Sequence, residues 1–380
     1  MAENTNIEWC HHTFNPWRGC TKVSPGCANC YADTLSARNP TTLGIWGYHG
    51  TRIVASHSMW NQPVEWNKTQ VCQNGHGPYS IDAPAKDCPE CGSLLGRPRV
   101  FCASLGDVFE DWTQDMRYPA KDDDGKPTTH TAWWHPTRGV IKAGQTSLHL
   151  HPLERPTTMQ DVRDQLFDLI DATPNLDWLL LTKRPENILR MVPQRWLGKF
   201  PTNVWLGTSV ENQATAAKRI PELLRIPAHI RFLSCEPLLG PVHLRRLPHG
   251  DESDLDALLG QIIHTAQHRA IPPDPSPKIH WVIAGGESGP GARPMHPVWA
   301  TSLQKQCAAT GTPFLFKQWG NWFPCTQAEF NPTITLPVDT RKNPDKWLSL
   351  ENEVFSNIGK LKAGRLLHGH EHNGYPKSTP

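Results

Sequence analysis

Six short apolar runs recur along the chain, and each ends in a polar or charged group. They read RVFCASLGD (99–107), LDWLLLTKR (176–184), NVWLGTSVEN (203–212), IRFLSCEP (230–237), HWVIAGGES (280–288) and PFLFKQWG (313–320). None alternates apolar with polar residues, which is how a parallel strand buried on both faces reads. Helical stretches lie between them. Thr158 caps MQDVRDQLFDLIDA, where Val162, Leu166, Leu169 and Ile170 share one face. Residues 213–225 follow NVWLGTSVEN as a second helix, and 298–309 follow HWVIAGGES as a third, with Gly311 as its stop. Strand, helix, strand in repetition predicts an α/β fold with right-handed crossovers. A short strand over TFNPW (13–17), stopped by Pro16, brings the count to about seven and predicts a complete or partial βα barrel.

The intervals organise the rest. Residues 1–70 start the barrel and carry a cysteine loop, followed by YADTLSAR as a helical turn or two. Residues 71–98 read as a zinc-ribbon-like insertion, and 99–325 as the remainder of the barrel. Insertions sit at 121–152, which reads as a loop or lid, and at 248–278. The latter holds one acidic helix candidate, DESDLDALLGQIIHTAQH, and the Pro-rich IPPDPSP. Residues 326–380 form a C-terminal extension, irregular after Phe330. No internal repeat indicates a solenoid.

Chemistry in such a barrel belongs at the carboxyl ends of the strands. Those ends carry Asp107, Lys183 with Arg184, Ser209 with Glu211, Glu236, Glu287, and Lys317 with Gln318. Any strand leaving a core meets polar loops, so some polarity is expected of every fold. Glu236 directly after FLSC and Glu287 directly after IAGG go further, and predict that several of these groups line one pocket. Gly285 and Gly286 allow a ligand close to the backbone, and Glu287 can accept from an amine. The following SGPGARP brings Arg293, suited to phosphate or carboxylate. The plain alternative there is a mobile Gly-Pro loop.

A net charge of +2 sets up no global field that would demand nucleic acid, although a local basic groove stays open. The N-terminal residues show no basic start and no apolar run, and nothing reaches the length of a membrane span. The expectation is a cytoplasmic protein away from membranes. Clustered cysteines in a reducing compartment indicate metal rather than disulfides. The stretch CTKVSPGCANC places Cys20, Cys27 and Cys30 at C-x6-C-x2-C, with Pro25-Gly26 turning the backbone between them. Three thiols are one short of a closed zinc site. A 4Fe-4S cluster on three cysteines leaves one iron open to a small molecule. If Cys10 joins them, a four-cysteine zinc site is the alternative, and unliganded core cysteines are the third. A second set reads Cys72-x3-His76, then Cys88-Pro-Glu-Cys91-Gly. It suits a closed zinc site with a folding role, or a contact surface. The plain alternative is an ordinary loop with His76 as a bystander. His368, His370 and His372 near the end read as an exposed tail before a metal site.

IEW, TFNPWRGCTKVSPGCANCYA, LLTKRPEN, VWLGTSVENQ, RFLSCEPLLGPV, WVIAGGESGPGARPM, PFLFKQWG and KAGRLLHG, spread over residues 7–30 and 99–375, together resemble a phage- and prophage-associated three-cysteine family. That family looks like a divergent branch of the radical S-adenosylmethionine (SAM) enzymes. The resemblance implies a 4Fe-4S cluster on Cys20, Cys27 and Cys30, with SAM on the open iron and an external electron donor. It further implies that Gly285, Gly286, Glu287, Ser209 and Glu211 bind the cofactor, and that Glu236, Lys183 and Asp107 act on substrate. A nucleobase or nucleotide is the expected substrate, by analogy with phage DNA chemistry. The first cysteine spacing is six where radical SAM enzymes typically have three, and Tyr31 follows the last cysteine where an aromatic residue usually precedes it. The Gly-Gly-Glu triplet ends a late strand, where in those enzymes a similar motif ends an early one. The rival function is a zinc-stabilised module that binds nucleic acid or protein without radical chemistry. A further alternative is a nuclease or transferase that uses the carboxylates with a divalent metal.

Overall fold

Every one of the six apolar runs becomes a strand of the same sheet. The computed structural model describes residues 5, 7–72, 75–82, 86–135, 139–141, 155–250, 252–264, 269–271, 277–336 and 344–376. Its main strands are β1 (His12–Thr13), β2 (Arg99–Cys102), β3 (Asp177–Thr182), β4 (Val204–Ser209), β5 (Ile230–Cys235), β6 (Trp281–Gly285) and β7 (Phe314–Gln318). They lie side by side in sequence order. The pairs β1–β2, β2–β3, β5–β6 and β6–β7 are parallel. No β1–β7 pairing closes the sheet among the described residues, so this is the partial form of the expected barrel. Strands β4 and β5 are buried along their whole length, which is why their sequences carry no polar alternation.

The chain divides into two compact units. One holds the residues up to Val23 with Ala32–Trp205, and the other holds Ser24–Tyr31 with Leu206–Lys377.

In the first unit β1 sits earlier than TFNPW suggested. Phe14 N still donates to Phe101 O at 3.0 Å, but the chain then leaves the sheet, and Trp17–Arg18 pairs antiparallel with Ile53–Val54. Pro16 has no N–H to continue a ladder. Helix α1 (Tyr31–Arg38) is the expected one after the cysteine loop. Helix α2 (His57–Trp66) was not apparent, because Pro63 interrupts its sequence. The signal was the three-residue spacing of Trp60, Pro63 and Trp66, all buried. Phe14 meets Trp60 and Trp178 edge-on at 5.2 and 5.7 Å and ties α2 to β3. Helix α3 (Met159–Ala172) is fixed by a reciprocal cap between Thr158 and Asp161. It buries Val162, Leu166, Phe167 and Ile170, while Leu169 is only half-buried. Part of the expected 121–152 loop is a hairpin. Arg117–Lys121 pairs with Pro127–Thr131 around a turn in which Asp122 Oδ1 accepts from Asp124 N and Lys126 N. Trp133–His135 pairs with Gly139–Ile141; residues 136–138 and 142–152 lie outside the described residues.

The second unit carries α4 (Gln213–Leu224), capped by Asn212, and α5 (Pro297–Thr310), which stops at Gly311 with φ +67 as expected. The acidic helix candidate is not a helix. Ser253–Asp256 and Gln261–His264 are antiparallel strands of a four-stranded sheet. Asp256 Oδ1 accepts from Leu258 N and Leu259 N, and Gly260 takes φ +68, so the side chain and the glycine build a turn where a helix would have had to continue. Residues 265–268 of that candidate, and 272–276 of IPPDPSP, lie outside the described residues. The extension after Phe330 is also more ordered than expected. Trp347–Leu350 and Glu353–Asn357 form a three-stranded sheet with Trp322–Pro324. Gly374 N donates to Phe314 O at 2.9 Å, and Phe316 N to His372 O at 3.0 Å, so the tail lies along β7. His368 is held by Thr301 Oγ1 at 2.8 Å, which makes it part of a turn rather than a loose tail. No described helix is long and apolar enough to cross a membrane.

Candidate functional site

Three short strands, Thr69–Cys72, Tyr79–Ser80 and Leu95–Gly96, frame the second cysteine set. Gly75 N returns to Cys72 O at 3.1 Å with φ +85, and Gly92 N to Cys88 O at 2.8 Å with φ +68. These left-handed turns are what the glycines after each cysteine supply. The result gathers the ligand atoms of Cys72, His76, Cys88 and Cys91 within 4.8 Å of one another. Cys72 Sγ and Cys91 Sγ are 3.4 Å apart, as are Cys88 Sγ and His76 Nδ1. Such a group could hold a metal ion, and three sulfurs with one imidazole form a closed tetrahedral set. His76 is a member of the group, not a bystander. Tyr79 Oη donates to Glu90 Oε1 at 2.6 Å and approaches Cys88 Sγ at 3.5 Å. Burial pushes the Cys88 thiol up, but Tyr79, the Glu90 and Cys91 amides and His76 outweigh it and hold the thiol below its usual range. It is the only such tight group among the described residues.

In the first unit, the ends of β2 and β3 are locked by Asp107. Its Oδ1 accepts from Phe109 N at 3.0 Å and Thr182 Oγ1 at 2.7 Å, and its Oδ2 from Lys183 N at 3.1 Å and Arg184 Nη1 at 2.8 Å. With four donors in place, this buried carboxylate anchors the strand ends. Arg184 Nη1 lies 3.9 Å from Cys20 Sγ, and Nη2 donates to Thr21 O at 2.8 Å. Glu110, also buried, takes a two-pronged contact from Arg52 Nε and Nη2, each at 2.8 Å, and lies 3.7 Å from Arg184 Nη2. Arg52 continues to Thr21 Oγ1 at 2.8 Å and stacks 3.8 Å from the Trp112 ring centre. Burial pushes the Cys20 thiol up to about 12, with Glu110 and Asp107 adding to the rise and Arg184 opposing it.

Cys10 sits elsewhere in this unit. Its neighbour His11 donates to Arg99 O, at the start of β2, whereas Gly19 donates to Leu105 O, beyond the end of β2. At ~3.3 Å per residue the two cysteines are separated by the full length of that strand, roughly 10 Å or more. The four-cysteine zinc site that would include Cys10 is therefore not what this unit builds.

In the second unit the remaining two thiols lie on a short loop fixed to strand ends. Ser24 Oγ donates to Glu211 Oε1 at 2.7 Å and lies 3.7 Å from Cys27 Sγ. Glu211, fully buried, accepts from Arg219 Nη1 at 2.9 Å on its other oxygen, and the same nitrogen donates to Ser209 O. A Cβ on Gly26 would fall 2.6 Å from Glu211 Oε1, so the glycine serves close approach as well as turning. Three residues on, Asn29 Nδ2 donates to Glu287 Oε2 at 3.0 Å and to Gly291 O at 2.7 Å. Arg293 grips Glu287 with Nε at 2.8 Å and Nη2 at 2.6 Å, and reaches Pro25 O at 2.9 Å. Glu287, expected to meet the amine of a ligand, thus holds its own chain. Gly285 and Gly286 are likewise crowded by the protein: a Cβ would lie 2.8 Å from Glu236 Oε1 at the first and 1.9 Å from Trp319 O at the second. Glu236 pairs with Lys317 Nζ at 2.9 Å across the ends of β5 and β7, and Gln318 Nε2 donates to Ser288 Oγ at 3.1 Å.

Burial acts to raise the Glu287 carboxyl, but the hydrogen bonds from Arg293 and Asn29 prevail and hold it below its ordinary value of 4.5. A depressed carboxyl contributes stability above its unfolded value and loses it as pH falls through the folded value. Hydrogen-exchange protection of residues 24–31 should therefore stay constant from neutral pH down to about 4.5 and fall below it. Loss of protection already at pH 6 would contradict this assignment.

Each unit thus collects part of the predicted set. The first places Asp107, Lys183 and Arg184 at neighbouring strand ends with Cys20. The second places Ser209, Glu211, Glu236, Gly285, Gly286 and Glu287 at strand ends and fastens the loop of Cys27 and Cys30 to Glu211 and Glu287. Sequence reasoning missed Ser24, Asn29, Arg52, Glu110 and Arg219. Of these, Asn29 alone left a trace, as the residue standing where the family resemblance leads one to expect an aromatic.

A family model described as a protein of unknown function (DUF5131) matches residues 4–119 and 145–376. The match runs unbroken through 71–98 and 248–278, two segments that read as additions, and is interrupted over 120–144, which takes in most of the 121–152 insertion. No curated protein and no solved structure matches the chain.

Proposed function

The chain belongs to this family, and we propose that it is an iron–sulfur enzyme of the radical SAM kind, with a 4Fe-4S cluster on Cys20, Cys27 and Cys30 and a structural zinc on Cys72, His76, Cys88 and Cys91. The observation that carries the reading is the fastening of the Cys27–Cys30 loop. Two buried strand-end acids, Glu211 and Glu287, are committed to Ser24, Asn29 and Arg293 rather than to bulk solvent. A loop without a task at its thiols has no need of two buried carboxylates. The donor chemistry fits as well: three soft thiolates suit iron–sulfur ligation, and Cys10 lies at the wrong end of β2 to complete a zinc set.

A cluster held by Cys20, Cys27 and Cys30 would supply one-electron radical chemistry together with SAM. The residues of this chain divide into two roles. Asp107, Glu211 and Glu287 are buried and position the loop and the strand ends. Half-buried Lys183 in the first unit, and the half-buried Glu236–Lys317 ion pair in the second, are the groups assigned to substrate. A nucleobase or nucleotide, with its ring amines and carbonyls, matches their mixed charge. An external electron donor completes the reaction.

Anaerobic reconstitution with iron and sulfide tests the reading. The chain should turn brown and take up iron, and Cys27→Ala should lose that colour while keeping zinc. Zinc at both cysteine sets with no iron uptake would instead establish the zinc-stabilised binding module.

A further inference from the structure

We propose that Arg184 tunes the iron–sulfur centre by holding its guanidinium against the ligand sulfur of Cys20, an inference that rests on the cluster reading above. Arg184 follows β3 directly, and its side chain is about nine-tenths buried. It is fixed on three sides, by Asp107 Oδ2 at 2.8 Å, Thr21 O at 2.8 Å and Glu110 Oε1 at 3.7 Å. The remaining direction of Nη1 points to Cys20 Sγ at 3.9 Å. A guanidinium does not give up its proton in a protein, so the charge beside the sulfur is permanent.

The surrounding charges show what that contact is for. Arg52 and Arg184 are balanced by Glu110 and Asp107, four buried groups that sum to zero. Glu110 is already gripped at both oxygens by Arg52, and Asp107 has three donors besides Arg184. Neither acid depends on Arg184 alone. The contact not otherwise explained is the one to Cys20, whose Sγ lies 3.9 Å from Nη1 of this nine-tenths buried side chain. Donors and positive charge at a ligand sulfur stabilise the more reduced, more negative state of a cluster. Arg184 is therefore a positioning residue: it sets the potential through Cys20 and does not touch substrate.

The test uses the full chain, reconstituted anaerobically, as wild type, Arg184→Gln and Arg184→Lys. Iron content is measured first, then the midpoint potential by a redox titration followed by electron paramagnetic resonance. Arg184→Gln should move the midpoint to a more negative potential than wild type. Arg184→Lys, which keeps the charge but not the fork, should fall between. Variants with wild-type iron content and a wild-type midpoint would overturn the assignment, since a purely structural arginine would alter cluster retention and leave the potential alone. If Arg184→Gln does not fold, the lysine variant against wild type decides. A wild-type chain that takes up no iron would remove the cluster reading itself and this inference with it, and the iron measurement separates the two failures.

Discussion

Arg52→Met should destabilise the chain by about 3–5 kcal/mol, the cost of leaving a buried charge unpaired. Arg52 is wholly buried, and its guanidinium is the two-pronged partner of Glu110. Methionine fills much of the aliphatic volume but cannot answer the carboxylate. Arg184 at 3.7 Å is too far to take over the fork. The same change removes the donor to Thr21 Oγ1 and the stacking on Trp112, so it also loosens the residue next to Cys20. Urea unfolding measures the loss. Arg52→Met combined with Glu110→Gln should recover part of it, because the stranded charge is then gone. A single-variant loss below about 1 kcal/mol would show that Glu110 is solvated or neutral, contrary to the packing described.

The second large effect concerns Cys88→Ala. The frame around the metal-binding group consists of strands of two to four residues, too little to bury a core of its own. A metal held by all four side chains would then be the principal source of local stability, since structural zinc contributes an apparent ~10–16 kcal/mol in zinc-finger peptides. Cys88 is the ligand most firmly braced, by Tyr79 and two backbone amides, whereas Cys91 is exposed. Its removal should reduce zinc content to near zero at this site and open residues 69–96 to protease. The main sheet should retain its far-ultraviolet signature. Retention of stoichiometric zinc with an intact segment would exclude the four-ligand assignment.

How much of this was legible before the fold was seen depends on where the information sits. The six runs were readable because burial on both faces leaves a sequence signature inside each strand. The hairpins at 117–131 and 253–264 were not. Their outcome turns on single residues, Asp122 with Gly125 and Asp256 with Gly260, whose side chain and backbone build a turn, in the first case within a stretch that reads as loop and in the second within one that reads as helix. The candidate site divides in the same way. That Glu287 ends a strand follows from IAGG; that it is taken by Asn29, a residue 258 positions away, follows from nothing local. Arg52 is an isolated arginine in an irregular stretch, and only the tertiary fold gives it Glu110. The Cys72, His76, Cys88 and Cys91 set was legible because its spacing encodes its own geometry.

One consequence follows from the tail along β7. Parallel sheets end in strands whose outer amides and carbonyls can recruit another molecule. Here residues 372–374 already occupy Phe314 and Phe316 of that border. A second copy seeking to extend the array from this side must first peel the protein's own segment away, so polymerisation through β7 is opposed from within the monomer.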